Sequence, residues 1–193
     1  GKTWKKVLYV SDKAGGADVV FDPSHPDTIY AATNEHERTA WNSIEHGPGS
    51  AVYKSVDGGE TWKKLAGGLP GGAFIGRIGL AVAASAPQTV YAFIANQTPI
   101  EETRPEGKRT VATGPEVYRS DDRGEHWRKL PMQNDRVKLG SYGVIAVAPD
   151  NPDLFYALAP NLQRSEDGGR TFEQMGGLVT HLYEHPSPAL HLD

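Results

Sequence analysis

The sequence predicts an all-β protein built from repeated four-stranded units, chiefly because one eight-residue motif occurs three times. The copies begin at Ser55, Ser120 and Ser165, which places them 65 and 45 residues apart. The composition agrees, since 22 glycines and 14 prolines among 193 residues suit many short strands joined by turns. A motif repeated at such intervals is typical of an array of similar modules.

Each copy of the motif ends a longer repeat in which four strands, A to D, can be recognised. Strand A is a short apolar run such as residues 78–82. A proline-containing turn then leads to strand B, which carries Tyr-Ala at Tyr30, Tyr91 and Tyr156. A connection of variable length precedes strand C, and the motif forms the turn from strand C to strand D. The connection at residues 96–115 is highly polar and is expected to be a flexible loop.

Four-stranded units in tandem are the blades of a β-propeller. The repeats predict about three complete blades of antiparallel strands, at approximately residues 14–65, 76–130 and 140–175, with partial blades at 1–13 and 178–193. Residues 1–193 would then form a single segment of an incomplete propeller. Its open flanks would expose apolar surface and strand edges, so we expect missing blades or self-association to cover them.

Charge and composition exclude several classes of partner and site. The net charge is −4, and the 20 basic residues are scattered among 24 acidic ones, which argues against binding to nucleic acid. Apolar stretches are far shorter than the ~20 residues that span a bilayer, so no membrane insertion is expected. The absence of cysteine excludes disulfides and thiolate metal sites. No phosphate loop or zinc-protease motif occurs, and we expect no cofactor and no metal.

The repeated motif itself is interpreted as a structural brace. Its aspartate can accept hydrogen bonds from turn amides, its glycine permits a positive φ, its hydroxyls can tie two strands together, and its last aromatic residue can pack between blades. A calcium loop would need more oxygen ligands than this turn offers. The brace residues are Ser55, Asp57, Gly59, Thr61, Trp62, Ser120, Asp122, Gly124, Trp127, Ser165, Asp167, Gly169, Thr171 and Phe172.

The pattern S-x-D-x-G-x-T-W resembles the Asp-box, or bacterial neuraminidase repeat, of sialidases, sortilins and xyloglucanases. The stretches 46–55, 68–70 and 76–79 are most similar to the sortilin-like propellers of bacterial secreted proteins. This resemblance implies a larger propeller in an extracytoplasmic or secreted protein. It also implies that the Asp-boxes lie away from the ligand-binding face.

Candidate ligand contacts are therefore sought where the B-to-C connections and the starts of strand A meet. In the repeat alignment Asp18 is equivalent to Gly79, and Arg77 is equivalent to Gly16 and Tyr142. Such breaks in a pattern can mark function, although Asp18 could equally be a partner for a backbone group or an arginine. The first B-to-C connection adds an aromatic residue that could stack on a sugar, or it is simply a solvated charged loop. The ligand-binding candidates are Asp18, Arg77, Tyr142, His36, Trp41 and His46.

Three functions remain open from the sequence. The first is a carbohydrate- or peptide-binding module of a larger protein. The second is part of a glycoside hydrolase, which needs two carboxylates on either side of the scissile bond; Asp18 with Glu35 or Glu37 are the weak catalytic candidates. The third is a structural fragment that completes a propeller by association.

Overall fold

The computed structural model describes residues 1–132, 143–158 and 161–175, and these residues form strands and turns without a helix. They build three four-stranded antiparallel sheets, each with its strands in the spatial order A, B, C, D. The prediction of an all-β array of four-stranded blades is confirmed. Because the described part contains no helix, it also contains none that could cross a membrane.

The strands follow one another along the chain without crossovers. Blade one contains β1 (Ala14–Asp22), β2 (His25–Glu35), β5 (Ala51–Ser55) and β6 (Lys63–Lys64), with the small hairpin of β3 (Glu37–Arg38) and β4 (Ser43–Ile44) inserted between β2 and β5. Blade two contains β7 (Ile75–Val82), β8 (Val90–Arg104), β9 (Gly107–Ser120) and β10 (Arg128–Lys129). Blade three contains β11 (Val144–Val147), β12 (Phe155–Leu158), β13 (Leu162–Ser165) and β14 (Glu173–Met175).

The core lies between blades, and strand β8 shows how alternation along a strand produces it. Val90, Ala92 and Ile94 face blade one, whereas Tyr91 and Phe93 face blade three. All five side chains are buried. Successive side chains of a strand point to opposite faces, so the central blade supplies apolar surface to both neighbours at once. Each blade therefore depends on the next one for burial of its faces.

The second B-to-C connection differs from the flexible loop expected from the sequence. Strands β8 and β9 continue as an antiparallel ribbon, with one register shift between Asn96 and Pro99, as far as the pair formed by Arg104 and Gly107. Opposite charges face each other across it, for example at Glu102 and Arg109, whose charged groups are 3.4 Å apart. Cross-strand pairing of charged residues makes this polar segment a strand extension rather than a loop.

Residues 1–11 contain no strand, although they were expected to belong to a partial blade. Trp4 in this segment is 92% exposed.

Candidate functional site

The first Asp-box turn is closed by hydrogen bonds among its own residues. Asp57 accepts the backbone N–H of Thr61 at 2.9 Å and the Thr61 hydroxyl at 2.5 Å, and it also accepts the Ser55 hydroxyl at 2.7 Å. Ser55 Oγ in turn accepts the N–H of Gly59 at 2.9 Å. The indole N–H of Trp62 donates to the Gly59 carbonyl. The side chains of Ser55, Asp57, Thr61 and Trp62 are thus all bonded inside the turn.

The second and third boxes repeat this arrangement with small substitutions. Thr61 is replaced by His126, whose Nδ1 lies 2.6 Å from Asp122 Oδ2, so an imidazole N–H takes the place of the hydroxyl. In the third box Asp167 accepts the hydroxyl of Thr171 at 2.6 Å. Phe172 has no indole N–H and instead packs edge-on against Phe155, with ring centroids 5.7 Å apart.

Two successive residues in each turn have the left-handed backbone conformation. They are Gly58 and Gly59 in the first box and Gly168 and Gly169 in the third. In the second box Arg123 takes the first of these positions with φ of 58°, and it is the one non-glycine residue with positive φ in the described part. A left-handed conformation is costly for a residue with a Cβ, so Arg123 must be held by other contacts.

These contacts join Arg123 to blade one. Its carbonyl accepts the hydroxyl of Tyr30 at 3.0 Å, while its N–H donates to the carbonyl of Gln88 within blade two. Its guanidinium lies 3.5 Å from the fully buried carboxylate of Asp22. The second Asp-box is thus an inter-blade contact as well as a turn.

The hydrogen bonds lower the pKa of all three box aspartates. The hydroxyl and N–H of Thr61 and the hydroxyl of Ser55 bring the pKa of Asp57 from its ordinary 3.8 to about 2. Desolvation raises the pKa of Asp122, but bonds from His126 and Ser120 outweigh it and bring the value to about 2. The Thr171 hydroxyl, followed by its N–H, lowers the pKa of Asp167. These carboxylates are ionised acceptors and cannot act as general acids near neutral pH.

The opposite edge of the blades contains an open cleft of about 480 Å³ between blades one and two. On blade one it is lined by the start of β1 and the end of β2. On blade two it is lined by Arg77 of β7. The cleft is mainly polar in residue type. It is lined by Asp12, Lys13, Ala14, Gly15, Gly16, Ala17, Asn34, His36 and Arg77.

Irregular strand register places Arg77 at this cleft. The pairing of β7 with β8 shifts between Ile75 and Ile78, and β1 shifts at the equivalent place, between Gly16 and Asp18. Such bulges redirect a side chain away from the regular alternation. Arg77 is half-buried, and among the described residues it makes no hydrogen bond or ion pair. Arg77 is thus a basic residue on the wall of the cleft.

The first B-to-C connection packs closely against the start of β7 and forms one wall beside Arg77. The N–H of Gly47 donates to the carbonyl of Ile75 at 2.9 Å. Gly76 lies so close to the carbonyl of Glu45 that a Cβ there would be 2.7 Å from the oxygen. A side chain at position 76 would therefore displace this wall.

Asp18 does not reach the cleft as a free carboxylate. One oxygen accepts the N–H of Val19 and the other accepts the N–H of Leu80 in blade two, both at 2.8 Å. The sequence analysis named such a backbone partner as the alternative to a ligand-binding role for Asp18. The bond to Leu80 links strand A of blade one to strand A of blade two.

The structure does not assemble the carboxylate pairs suggested for a glycosidase. Glu35 accepts the N–H of Gly49 at 2.8 Å, so its carboxylate is used to hold the B-to-C connection. Asp18 pairs with Ala32 in register, and Glu35 is three residues further along β2, about 10 Å at 3.3 Å per residue and on the opposite face. Glu37 is exposed and lies 3.4 Å from Lys13. A catalytic role for Asp18 with either glutamate is therefore not supported by their positions.

The other candidates of the first B-to-C connection differ in their surroundings: one is packed, one lines the cleft and one is exposed. His46 Nδ1 lies 2.7 Å from the carbonyl of Ala73, and its ring is 5.3 Å from that of Phe74, so it is a packing residue. His36 borders the cleft, with Nε2 at 4.0 Å from Glu45. Trp41 is 88% exposed at the tip of the β3–β4 hairpin. Tyr142 lies outside the described residues.

Sequence reasoning did not select Gly15 and Gly16 as parts of the cleft. The glycine pair leaves open space, because a Cβ at either position would meet nothing within 4 Å. The repeat alignment could have revealed this part of the cleft. It gives Gly16 no side chain at the position where the next blade has the long cationic side chain of Arg77. Within the described residues, no group of three or more potential ligands is placed to hold a metal ion.

Comparisons with known proteins agree with this architecture. The BNR/Asp-box repeat family matches residues 53–64, which contain the first Asp-box. A search among curated proteins gives no significant match.

Several solved structures resemble the chain. The GH74 xyloglucanase from Xanthomonas campestris has 17% identity and a TM-score of 0.59, with 88% of this chain and 23% of that chain covered. The GH74 enzyme of Niastella koreensis has 19% identity and a TM-score of 0.50, with coverage of 83% and 22%. YCF48 bound to D1 peptide has 13% identity and a TM-score of 0.52, with coverage of 86% and 41%.

The chain thus spans less than half the length of each of these proteins. At such identities the similarity shows the fold alone. The chain has the fold of an Asp-box β-propeller segment.

Proposed function

We propose that this chain is a ligand-binding segment of a larger Asp-box propeller, and that the cleft between blades one and two binds a carboxylate-bearing carbohydrate or peptide. The observation that carries the proposal is the Arg77 guanidinium, which has no partner among the described residues and faces an open polar cleft. Arginine presents a planar fork of donors that matches a carboxylate in two parallel hydrogen bonds.

The remaining walls suit a polar ligand. Gly15 and Gly16 expose backbone without side chains, so a ring or a peptide could approach the floor closely. Asn34 offers both donors and an acceptor, as the hydroxyls of a sugar or a peptide backbone require. The hairpin that carries Trp41 rises from the same connection and supplies an exposed ring for stacking.

The structural relatives support a binding role of this kind in general terms. One is a xyloglucanase, whose substrate is a polysaccharide, and another was solved with a bound peptide. We also propose, from residues 46–55, 68–70 and 76–79, that the chain is of the sortilin-like type and belongs to an extracytoplasmic bacterial protein. Other blades of that protein or a second copy would be its partners.

Calorimetric titration with an oligogalacturonide, a neutral xyloglucan oligosaccharide and an oligoglutamate peptide tests the proposal. We expect binding to an acidic ligand and weaker or no binding to the neutral one. Arg77→Ala should weaken acidic-ligand binding by at least about tenfold, and Arg77→Lys less, because lysine keeps the charge without the bidentate geometry. The matched control is Arg109→Ala on the exposed ribbon, which should bind as the wild type does.

The pattern across the ligands decides the outcome. A preference for the oligogalacturonide would identify a uronic-acid ligand, and a preference for the peptide would identify an acidic peptide. Equal binding of acidic and neutral ligands, or an Arg77→Ala variant with wild-type affinity, would contradict the proposed site.

A further inference from the structure

The cleft between blades one and two is lined by a side chain that can gain a charge near neutral pH. His36 lies between the end of β2 and the start of β3, and its side chain is 40% exposed. Histidine ordinarily changes from neutral to cationic between about pH 8 and pH 5. The other charged residues that line the cleft are an aspartate, a lysine and an arginine, which ordinarily keep their charge over this range. His36 can therefore make the charge of the cleft depend on pH.

Protonation of His36 increases the positive charge of the cleft lining. With the imidazole neutral, Asp12, Lys13 and Arg77 supply one negative and two positive charges, a net charge of +1. An imidazolium at His36 raises this net charge to +2. Because Arg77 makes no hydrogen bond or ion pair with another described residue, its charge is not offset by a bonded partner, and the second cation adds to it.

Three carboxylates belong to the segments around His36, and they affect it differently. Glu37 is paired with Lys13 at 3.4 Å, and Asp12 lines the cleft beside that lysine in the sequence. Glu45 is the carboxylate paired with the ring itself, with Oε1 at 4.0 Å from Nε2 of His36. This distance is too long for a hydrogen bond, but an opposite charge at this range favours the protonated imidazole. Glu45 therefore stabilises the imidazolium without taking its N–H groups.

Two further titratable groups near His36 are held by backbone contacts away from the cleft lining. Glu35 accepts the N–H of Gly49 at 2.8 Å. His46, the second imidazole of the same B-to-C connection, has Nδ1 at 2.7 Å from the carbonyl of Ala73. Neither Glu35 nor His46 lines the cleft, whereas His36 does. A pH effect on a ligand in the cleft should therefore depend on His36 rather than on these two groups.

We propose that protonation of His36 strengthens the binding of an acidic ligand in this cleft, so that the chain binds the ligand more tightly under mildly acidic conditions than at about pH 8. The inference rests on the proposed function, because it concerns the same cleft and the same carboxylate-bearing ligand. In the complex the ligand carboxylate meets two cations, His36 from blade one and Arg77 from blade two. Arg77 supplies binding at every pH, and His36 regulates its strength.

The direction of the pH dependence follows from the linkage between proton binding and ligand binding. A bound carboxylate stabilises the protonated imidazole of His36, and protonation strengthens ligand binding by the same factor. Affinity is therefore highest when the pH lies below the range in which the ring titrates, and it falls as the pH rises through that range. One charge near a protein surface changes a binding constant by about threefold to tenfold.

Calorimetric titration at about pH 5.5 and about pH 8 tests the proposal with the oligogalacturonide and the oligoglutamate peptide, whose carboxylates are ionised at both pH values. The wild type should bind its preferred acidic ligand about threefold to tenfold more tightly at the lower pH. His36→Gln should show the weaker affinity at both pH values. His36→Lys should show the tighter affinity at both, because lysine keeps its charge. A misfolded chain would lose binding throughout, so the gain at about pH 8 in His36→Lys separates an effect of charge from a loss of structure.

The matched control is His126→Thr, which removes an imidazole from the Asp-box edge, where the first box has Thr61, and should keep the wild-type pH dependence. In NMR titrations of the imidazole rings, the acidic ligand should move the midpoint for His36 to higher pH and leave that for His126 unchanged. Equal wild-type affinity at both pH values, or an undiminished pH dependence in His36→Gln, would overturn this inference alone. Absence of binding at both pH values would overturn the proposed function as well.

Discussion

The two edges of the blades differ in how their polar groups are used. At the Asp-box edge three turns repeat one pattern, and the serine, aspartate and threonine or histidine groups bond within each turn. At the opposite edge the first two B-to-C connections differ in length and shape, and Arg77 makes no bond with another described residue. Repetition with closed hydrogen bonding is typical of a folding device, whereas divergence between repeats is the basis of the proposed ligand site.

Hydrogen bonding by an aspartate carboxylate therefore has different structural consequences at the two edges. Asp57 and Asp18 are both aspartates with both oxygens bonded, but Asp57 bonds within eight residues whereas Asp18 bonds across 62 residues to Leu80. The first arrangement can form as soon as the turn forms. The second exists only when two blades have docked.

Tryptophan substitutions should give the largest difference in unfolding free energy between the two edges. Trp127 is 7% exposed and packs in the core between blades one and two, whereas Trp41 is 88% exposed. Trp127→Ala should lower the free energy of unfolding by about 3–5 kcal/mol because it empties a core position. Trp41→Ala should change it by less than about 0.5 kcal/mol. Urea unfolding measures both, and similar losses from the two variants would contradict the distinction between the edges.

Serine substitutions should give a smaller difference in stability between the two edges. Ser120 is buried, and its hydroxyl accepts the N–H of Gly124 at 2.8 Å. Ser120→Ala leaves that buried donor without a partner and should cost about 2 kcal/mol, or a fall in Tm of about 4 to 8 °C. Ser43, which is exposed on the β3–β4 hairpin, donates to the half-buried Glu45, and Ser43→Ala is the matched control. A calorimetric scan that shows equal Tm values for the two variants would argue against the brace.

The smallest effect should appear in the pH dependence of stability. The folded-state pKa of Asp122 lies near 2, below its ordinary 3.8, so its contribution is complete above about pH 4 and is lost as the pH falls towards 2. Asp122→Asn should therefore flatten the decline of unfolding free energy between these pH values. Ser43→Ala should retain the wild-type slope. Chemical unfolding at several acidic pH values measures the slope, and an unchanged slope in Asp122→Asn would contradict the role given to this carboxylate.

Much of the fold could be predicted from the sequence because its signals are local. The Asp-box closes through bonds between residues no more than four apart, as between Asp57 and Thr61, so a short pattern is enough to place the turn. Strand B could likewise be placed by its recurring Tyr-Ala. The ribbon of β8 and β9 was missed because its stability comes from cross-strand pairs such as Glu102 with Arg109, which a polar composition does not reveal.

The candidate site was only partly predictable. Arg77 and His36 were selected because they break the repeat or lie in a variable connection, and both line the cleft. Asp18 was selected for the same reason, but its carboxylate is bonded to backbone groups. A break in a repeat shows that a position has a different task, and it does not show whether the task is binding or packing.

The sequence by itself determined the all-β blades and the position of each Asp-box. These depend on alternation along strands and on hydrogen bonds within single turns. The tertiary structure decided which polar side chains are bonded across blades, as Asp18 is to Leu80, and which have no bond with another described residue, as Arg77 in the cleft. The reason is physical: the partners of such groups come from other blades, and their distance along the chain carries no local pattern.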